Sequence, residues 1–505
     1  LGRTYYSVLS VGNISFRVAL DTASADLWLL SSACSSTHCK SVPRYPLTYH
    51  SPTFTPINDN SSLFNVSFAD STAASGFAAR ETIQLDTLSA SEQSFGLMTS
   101  SNVSFVDDIS GILGLGFSRL SSINTLAANS TPPFATLAKR GLLDYPLFGV
   151  ALTRAEPWGS LALGAVDSTY LKNASLIDWN EVVPFEPFAH ENNRSSYLQW
   201  AIPMSGISIG TQFLKPIPTY PNATANQSLA LIDVGTEGIF GPYPDVERIY
   251  AGIDSSRLVD ETGQWAIPCD TNLTMSFTFN EQNFTLLPSD YIIGPTSESP
   301  ALCLSWPKAT APSSDGLDWQ FGGAFLRTVY TIFSYGIADV EPPVIGLYPL
   351  QPSNATNPLV PLPQSALNAL FSSLSLTVAT NLPNSLVPTP TFTTPPYLFN
   401  TSVPTASPDM TDLATSTYEP LLLRGHLTAS TLPQRAPVEE TLTLTDSRGA
   451  VFTTTTVPTS SQVLGEPPGW TSSGMRTSAG SVPLLVSLIV SAVCTLGGAS
   501  LLLLS

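Results

Sequence analysis

Apolar and polar positions over the first 350 residues follow the short period that is typical of β-strands. Runs such as YYSVLSVGNISFRVAL and NLTMSFTFNEQNFTLLP are separated by clusters of Gly, Pro, Asn and Ser, and Val, Ile, Phe, Tyr and Thr are frequent. Few windows show a helical period, and PDVERIYAGI is one candidate for a short helix. The pattern predicts a fold dominated by β structure with a few short helices.

The composition of the 505-residue chain changes after residue 350. Residues 351–480 are rich in Pro, Thr and Ser and contain little to bury, which predicts a disordered, O-glycosylated stalk. Residues 481–505 form an apolar run that no Lys or Arg follows. Small residues and a short spacer precede this run, as in a GPI-attachment signal, and a plain membrane span is the alternative.

Charge and cysteine usage restrict the partners and the compartment. Acidic residues outnumber basic residues by 38 to 20, so the formal net charge is −18 and we expect no nucleic-acid partner. Two pairs of cysteines and a single Cys494 suggest two disulfides in an oxidising compartment, with four buried thiols as the alternative. No Cys or His cluster completes a metal-ligand set. Numerous Asn-x-Ser/Thr sequons indicate a secreted glycoprotein.

A distant internal repeat places one aspartate in each half of the globular region. RVALDTASADLWLL is echoed by SLALIDVGTEGIFGP: each has an apolar run, then Asp21 or Asp233, then a hydroxyl (Ser24 or Thr236) three residues later. About ninety residues after each Asp comes an apolar, Gly-containing element, GILGLGF or QFGGAFL. An isolated buried carboxylate costs several kcal/mol, so two such positions predict a functional pair rather than idle residues.

Residues 5 to about 350 carry these motifs in the order in which they occur in the pepsin-like aspartic proteases, which this part of the chain resembles. DTASADLW and ALIDVGTEG resemble the two catalytic loops, VSFADSTAASG the flap hairpin and GSLALGAVD the connection between lobes. DISGILGLGF and WQFGGAFLRTVYTIF resemble the strands that pack behind the loops. The family pattern pairs Cys34 with Cys39 and Cys269 with Cys303. With the stalk and tail, the chain is similar to fungal GPI-anchored, yapsin-type members.

The resemblance implies a bilobal β fold with pseudo-twofold symmetry, followed by the stalk and tail. The expected domains are lobes at 1–165 and 166–350, the stalk at 351–480 and the tail at 481–505. It also implies an aspartic endopeptidase that cleaves proteins or peptides at acidic pH, without metal or cofactor, as a monomer at the cell surface. The implied site residues are catalytic Asp21 and Asp233, supporting Thr22, Ser24, Gly235 and Thr236, and flap or cleft residues Trp28, Phe68 and Asp70.

Three residues depart from the family pattern. Ala23 stands where the first loop usually has Gly, Val234 where the second loop has Thr or Ser, and Phe68 where the flap has Tyr. These departures raise the alternative of a catalytically impaired homologue that binds peptides at the cell surface. A glycosidase with two carboxylates is a weaker alternative. A serine hydrolase is weaker still, because no Gly-x-Ser-x-Gly occurs and the four histidines lie in no triad setting.

Overall fold

The computed structural model describes most of the chain up to residue 350 and several pieces beyond it. The described residues are 4–58, 62–68, 70–126, 130–152, 159–184, 197–296, 301–337, 340–350, 387, 389–397, 418–423, 432–436, 440–445, 451–456 and 463–470.

The first lobe is an eight-stranded sheet with short helices on its edges. Its strands run in the order β1-β2-β8-β3-β7-β6-β4, with β5 paired to β6. They are β1 (Tyr6–Val11), β2 (Ile14–Asp21), β3 (Leu27–Leu30), β4 (Thr55–Pro56), β5 (Leu63–Ser67), β6 (Ala73–Leu85), β7 (Leu88–Ser101) and β8 (Ile109–Gly114). Its helices are α1 (Thr37–Lys40), α2 (Ile123–Leu126) and α3 (Pro133–Lys139), with a 3-10 turn at Ser118–Leu120.

A five-stranded sheet joins the two lobes because it takes strands from both halves of the chain, in the order β10-β9-β25-β26-β12. From the first part of the chain come β9 (Leu147–Ala151), β10 (Ser160–Leu163) and β12 (Asp178–Glu181). From the second come β25 (Val329–Ser334) and β26 (Val344–Pro349). The short strand β11 (Val166–Asp167) and a 3-10 turn at Ala174–Leu176 lie between β10 and β12 in sequence.

The second lobe repeats the design with another eight-stranded sheet, in the order β20-β19-β13-β15-β24-β16-β23, and β14 pairs with β13. Its strands are β13 (Ala201–Ile209), β14 (Gln212–Leu214), β15 (Ser228–Ile232), β16 (Ile239–Pro242), β19 (Met275–Phe279), β20 (Gln282–Leu286), β23 (Lys308–Thr310) and β24 (Leu317–Phe321). A four-stranded sheet holds β17 (Arg257–Leu258), β18 (Trp265–Pro268), β21 (Ile292–Pro295) and β22 (Leu302–Ser305). The helices are α4 (Tyr243–Ala251), α5 (Pro288–Tyr291) and α6 (Gly323–Leu326).

Both lobes place an aspartate at the end of a central buried strand. In the first lobe β2 lies parallel to β8, with Leu20 opposite Leu113. In the second lobe β15 lies parallel to β24, with Ile232 opposite Phe321. The predicted β-dominated, bilobal fold is therefore confirmed, and α4 covers most of the predicted helix PDVERIYAGI. The boundaries at residues 165 and 350 remain predictions, because the joining sheet draws on both halves.

Aromatic packing and two hydrogen bonds fix the lobes against each other. The Trp200 indole N–H donates to the Leu115 carbonyl at 2.9 Å, and the Tyr335 hydroxyl donates to the same carbonyl at 2.7 Å. The Phe117 ring lies 4.3 Å from the Trp200 ring, centroid to centroid. These residues belong to one continuous buried core that includes strands of both lobes. The aspartate-bearing strands are thus parts of one packed unit.

Both disulfides expected from the family pattern are present. Cys34 is bonded to Cys39 beside α1, and Cys269 is bonded to Cys303 on β22. All four residues are fully buried. The two bonds fit the oxidising secretory compartment that the cysteine count suggests. Cys494 lies outside the described residues.

Four described pieces of the region beyond residue 350 contact the lobes. The Tyr220 hydroxyl donates to the Pro395 carbonyl at 2.8 Å. Strand β27 (Gln434–Arg435) pairs in parallel with β11, and the Gly465 N–H donates to the Ser15 carbonyl at 2.9 Å. Strands β28 (Glu440–Thr445) and β29 (Val451–Thr456) form a hairpin. The tail at 481–505 lies outside the described residues; within them, no helix has the length and apolar character that a bilayer crossing requires.

The fourth piece, residues 418–423, inserts an apolar side chain into the cluster that packs on the joining sheet. Leu422 is 0% exposed and belongs to the same apolar cluster as Tyr145 and Leu147. Its N–H donates to the buried Glu341 carboxylate, which also accepts from the Tyr145 hydroxyl. This contact is part of the folded core rather than a surface attachment.

We therefore expect Leu422→Ala to lower the free energy of unfolding by about 2–4 kcal/mol, the usual cost of emptying a buried leucine site. Leu423 is the matched control, because its side chain is 42% exposed and Leu423→Ala should change that free energy by less than about 0.5 kcal/mol. Urea unfolding of both variants measures the difference. Equal stabilities would show that residues 418–423 do not dock on the lobe.

Candidate active site

The first loop receives its aspartate from a strand that is buried along its second half. Asp21 ends β2, is 8% exposed, and would be poorly solvated without partners. The loop supplies two: the Ala23 N–H donates to Asp21 Oδ1 at 2.8 Å, and the Ser24 hydroxyl donates to Asp21 Oδ2 at 2.6 Å. Ala23 keeps the backbone donor that the usual glycine would provide.

The second loop repeats this arrangement. Asp233 follows β15 directly and is 3% exposed. The Gly235 N–H donates to Asp233 Oδ1 at 2.9 Å, and the Thr236 hydroxyl donates to Asp233 Oδ2 at 2.6 Å. In each loop, therefore, a backbone N–H holds the inner oxygen (Oδ1) and a side-chain hydroxyl holds the outer oxygen (Oδ2).

The two carboxyl groups meet at Gly235. A Cβ atom at Gly235 would lie 2.9 Å from Asp21 Oδ1 and 3.3 Å from Asp233 Oδ1, so both inner oxygens converge on this residue. Gly235 is required here because any side chain would displace the Asp21 carboxyl group.

Burial and the neighbouring charge favour the protonated form of one member of the pair. Burial raises the pKa of Asp21 to about 7, and repulsion from Asp233 adds to this effect. The hydrogen bonds from Ser24 and Ala23 oppose it, because they stabilise the carboxylate. Asp21 therefore retains a proton through the acidic range while it lies beside a second carboxyl group.

A hydroxyl of the first loop connects the two loops across the lobe interface. The Thr22 hydroxyl donates to the Ile232 carbonyl at 3.1 Å and accepts from the Val234 N–H at 3.0 Å. It also lies 3.3 Å from Asp233 Oδ1. Val234 has no hydroxyl, so the second loop cannot return an equivalent bond to the first. The cross-lobe connection is one-sided.

The flap is the hairpin of β5 and β6, and its tip is held by its own polar groups. The Phe68 N–H donates to the Thr72 carbonyl at 2.9 Å. Asp70 Oδ1 accepts from the Thr72 N–H at 2.9 Å and from the Thr72 hydroxyl at 2.6 Å, and these bonds lower the Asp70 pKa. The Phe68 ring lies 6.4 Å from the buried Trp28 ring. Asp70 thus shapes the flap turn, and Phe68 packs toward the first loop.

The structure brings the residues predicted from the loops to one place, and it adds two that sequence reasoning did not single out. Gln320 on β24 donates its side-chain N–H to Asp233 Oδ2 at 2.9 Å. Asp26 is buried behind the first loop, where Oδ1 accepts from the Ser121 hydroxyl at 2.5 Å and Oδ2 from the Ser122 N–H at 2.7 Å. Burial raises the Asp26 pKa to about 6. In the described residues, no cluster of three or more His, Cys, Asp or Glu side chains is arranged to hold a metal ion.

Comparison with known proteins agrees with this geometry. The family model for eukaryotic aspartyl proteases matches residues 4–341. Over 339 residues the chain is 29% identical to an aspartic protease of Phaffia rhodozyma, covering 66% of this chain and 74% of that protein. It is 27% identical to major aspartyl peptidase 1 of Cryptococcus neoformans (67% of this chain and 68% of that protein) and 27% identical to pepsin A of Sus scrofa (66% and 79%). The chain belongs to the eukaryotic aspartyl protease family.

Proposed function

We propose that Asp21 and Asp233 are the catalytic pair with which this aspartic endopeptidase cleaves peptide bonds of protein substrates at acidic pH. The observation that carries the proposal is the convergence of two buried carboxyl groups, with their inner oxygens, on Gly235. Each carboxyl group is fixed by two donors from its own loop, so neither can rotate away without breaking hydrogen bonds.

The chemistry follows from the repulsion between the two groups. Two negative charges about 3 Å apart repel by roughly 5 kcal/mol at an effective dielectric constant near 20, so the pair keeps one proton over a broad acidic range. This behaviour is well known for the aspartic protease pair. We assign that proton to Asp21, because burial and repulsion from Asp233 raise its pKa, and we assign the role of the base to Asp233.

In the reaction, Asp233 acts as the general base and Asp21 as the acid. Asp233 takes a proton from a water molecule while the water oxygen bonds to the scissile carbonyl carbon. Asp21 hydrogen-bonds the carbonyl oxygen and transfers its proton as the negative charge develops there. When the C–N bond breaks, the proton held by Asp233 goes to the leaving nitrogen. At the same time one hydroxyl of the gem-diol intermediate returns its proton to Asp21, which re-forms the carbonyl and restores the single-proton pair.

The departures from the family pattern leave this machinery in place. Ala23 still donates its N–H to Asp21, and Phe68 still packs toward Trp28. Val234 removes one cross-lobe hydroxyl, but Thr22 supplies the other. The alternative of a peptide-binding homologue without catalysis is therefore not favoured.

We further propose that the enzyme acts as a monomer at the cell surface, held there by residues 481–505 through a GPI anchor or a membrane span. The complete pair lies within one chain, which supports the monomer. Sequons, two disulfides and the Pro/Thr/Ser-rich composition of residues 351–480 support passage through the secretory pathway. Release of the protein from cells by phosphatidylinositol-specific phospholipase C would favour the GPI anchor; retention would favour the span.

Replacing either aspartate of the pair should abolish proteolysis without unfolding the protein. We expect Asp21→Asn and Asp233→Asn each to lower kcat on a denatured protein substrate at acidic pH by about 10³-fold or more, because each removes one partner of the proton transfer. Asp260→Asn is the control, since its carboxyl group holds a turn of the second lobe by accepting from Thr262, and it should retain most of the activity. Equal activity of the parent and both pair variants would rule out the proposed catalytic pair.

We expect the folded protein to be more stable at acidic pH than at neutral pH. Asp21 and Asp26 have pKa values of about 7 and about 6 in the folded protein and 3.8 as the ordinary value. Because these pKa values are raised in the folded protein, the two groups contribute their full stabilisation below about pH 4. This contribution is lost as the pH rises through 6 to 7. Asp26→Asn should reduce the loss between pH 4 and 7 by about 2–3 kcal/mol in denaturant titrations. If the free energies of unfolding of parent and variant fell in parallel between pH 4 and 7, the assignment of this stability loss to Asp26 would be contradicted.

Restoring the missing cross-lobe hydroxyl should strengthen the interface between the loops. In Val234→Thr, the new hydroxyl is positioned by the pseudo-twofold symmetry to bond the first loop as Thr22 bonds the second, and we expect about 1 kcal/mol of added stability. Thr22→Val is the mirror control and should cost about 1–3 kcal/mol, because it leaves the buried Val234 N–H without its acceptor. Calorimetric unfolding measures both. A destabilised Val234→Thr or a neutral Thr22→Val would refute this role of Thr22.

A further inference from the structure

Gln320 places an uncharged donor on the outer oxygen of one aspartate. Its side-chain amide nitrogen lies 2.9 Å from Asp233 Oδ2 and 2.6 Å from Thr236 Oγ1. The two oxygens are only 2.6 Å apart and subtend a narrow angle at this nitrogen, so one amide N–H is shared between them. The Thr236 hydroxyl uses its own hydrogen on Asp233 Oδ2 and is left to accept from Gln320. The three groups form a closed set in which Asp233 Oδ2 accepts from both Thr236 and Gln320.

The other lobe has no counterpart to this donor. Gln320 stands opposite Leu231 in the β15–β24 pairing, and the equivalent position in the β2–β8 pairing, opposite Ala19, is Ile112. Isoleucine cannot donate a hydrogen bond. Among the described residues, Asp21 accepts only from its own loop, whereas Asp233 also accepts from Gln320 and, at 3.3 Å, from the Thr22 hydroxyl.

No cation offsets this difference in the part of the chain that the structure describes. The titratable group that faces Asp233 from the opposite lobe is Asp21, and Glu237 on the same loop has an exposed side chain. On β24, Asp318 is engaged by the Ser228 hydroxyl and the Thr219 N–H at the other end of the strand. Neither Asp21 nor Asp233 forms an ion pair among the described residues.

We propose that Gln320 is a positioning residue that makes Asp233 the ionised member of the catalytic pair and so leaves the shared proton on Asp21. The reason is that an N–H donor stabilises a carboxylate more than a neutral carboxyl group. The two loops match in their own donors, so the donors from outside each loop decide which carboxyl group ionises first. On Asp233 these are Gln320 at 2.9 Å and, more weakly, the Thr22 hydroxyl at 3.3 Å. This inference rests on the proposed function, because it assigns the roles within that same pair.

The test replaces Gln320 by the residue that occupies the equivalent place in the other lobe. In Gln320→Ile we expect the acid limb of the kcat/KM pH profile to move to higher pH by about 0.5–1 unit, because loss of the donor makes Asp233 harder to ionise. Gln320→Met serves as a second variant of similar length if the branched side chain impairs folding. Gln264→Leu is the matched control: its amide bonds the Ser305 carbonyl on another sheet, and it should not move the acid limb.

The outcomes separate failure of this inference from failure of the proposed function. A parent protein without acid peptidase activity would refute the proposed function. The role of Gln320 would then be read from the pH dependence of unfolding, where Gln320→Met should change the profile and Gln264→Leu should not. If the parent is active and the acid limb is unchanged in both Gln320→Ile and Gln320→Met, Gln320 has a structural role only. This holds even if the two variants have lower melting temperatures. A shift to lower pH would overturn the inference, since the amide oxygen would then face Asp233.

Discussion

Two acidic side chains buried against each other at the lobe interface impose the main constraint on this structure. Asp21 and Asp233 lose hydration and repel one another, so the fold has to hold them together at a cost. The joining sheet, the Trp200 and Tyr335 bonds to the Leu115 carbonyl and the Thr22 bridge all resist separation of the lobes. The cross-lobe contacts are therefore part of the chemistry, because they maintain the repulsion that makes the pair share one proton.

The two lobes repeat one design, but their hydrogen bonds are not equal. The loops match in their backbone and hydroxyl donors, whereas the counterpart of Thr22 in the other lobe is Val234 and the counterpart of Gln320 is Ile112. Peptide hydrolysis by such a pair needs one acid and one base at the same moment. In a perfectly symmetric site, substrate binding would have to determine which aspartate is the acid and which is the base. Here the unequal donors determine these roles before the substrate binds.

The sequence predicts those parts of the structure that are encoded locally. The aspartate-and-hydroxyl repeat, the β-dominated fold and α4 all follow from short patterns, and both disulfide pairs follow from the family resemblance. The bond between Asp26 and Ser121 joins residues 95 positions apart, and no local pattern marks it. Gln320 lies within a motif interpreted as packing, although alignment of WQFGG with GILGL places it at the position of the apolar Ile112. The docking of Leu422 was hidden because the average composition of residues 351–480 does not reveal a single buried leucine.

The central claim is that the two carboxyl groups face each other and hold one proton between them. A neutron crystal structure at about pH 4.5, within the range where such a pair keeps one proton, tests this most directly. The account predicts facing inner oxygens and a single deuteron on the pair, bonded to Asp21. Two deuterated carboxyl groups, two bare carboxylates, or side chains turned into separate pockets would contradict it.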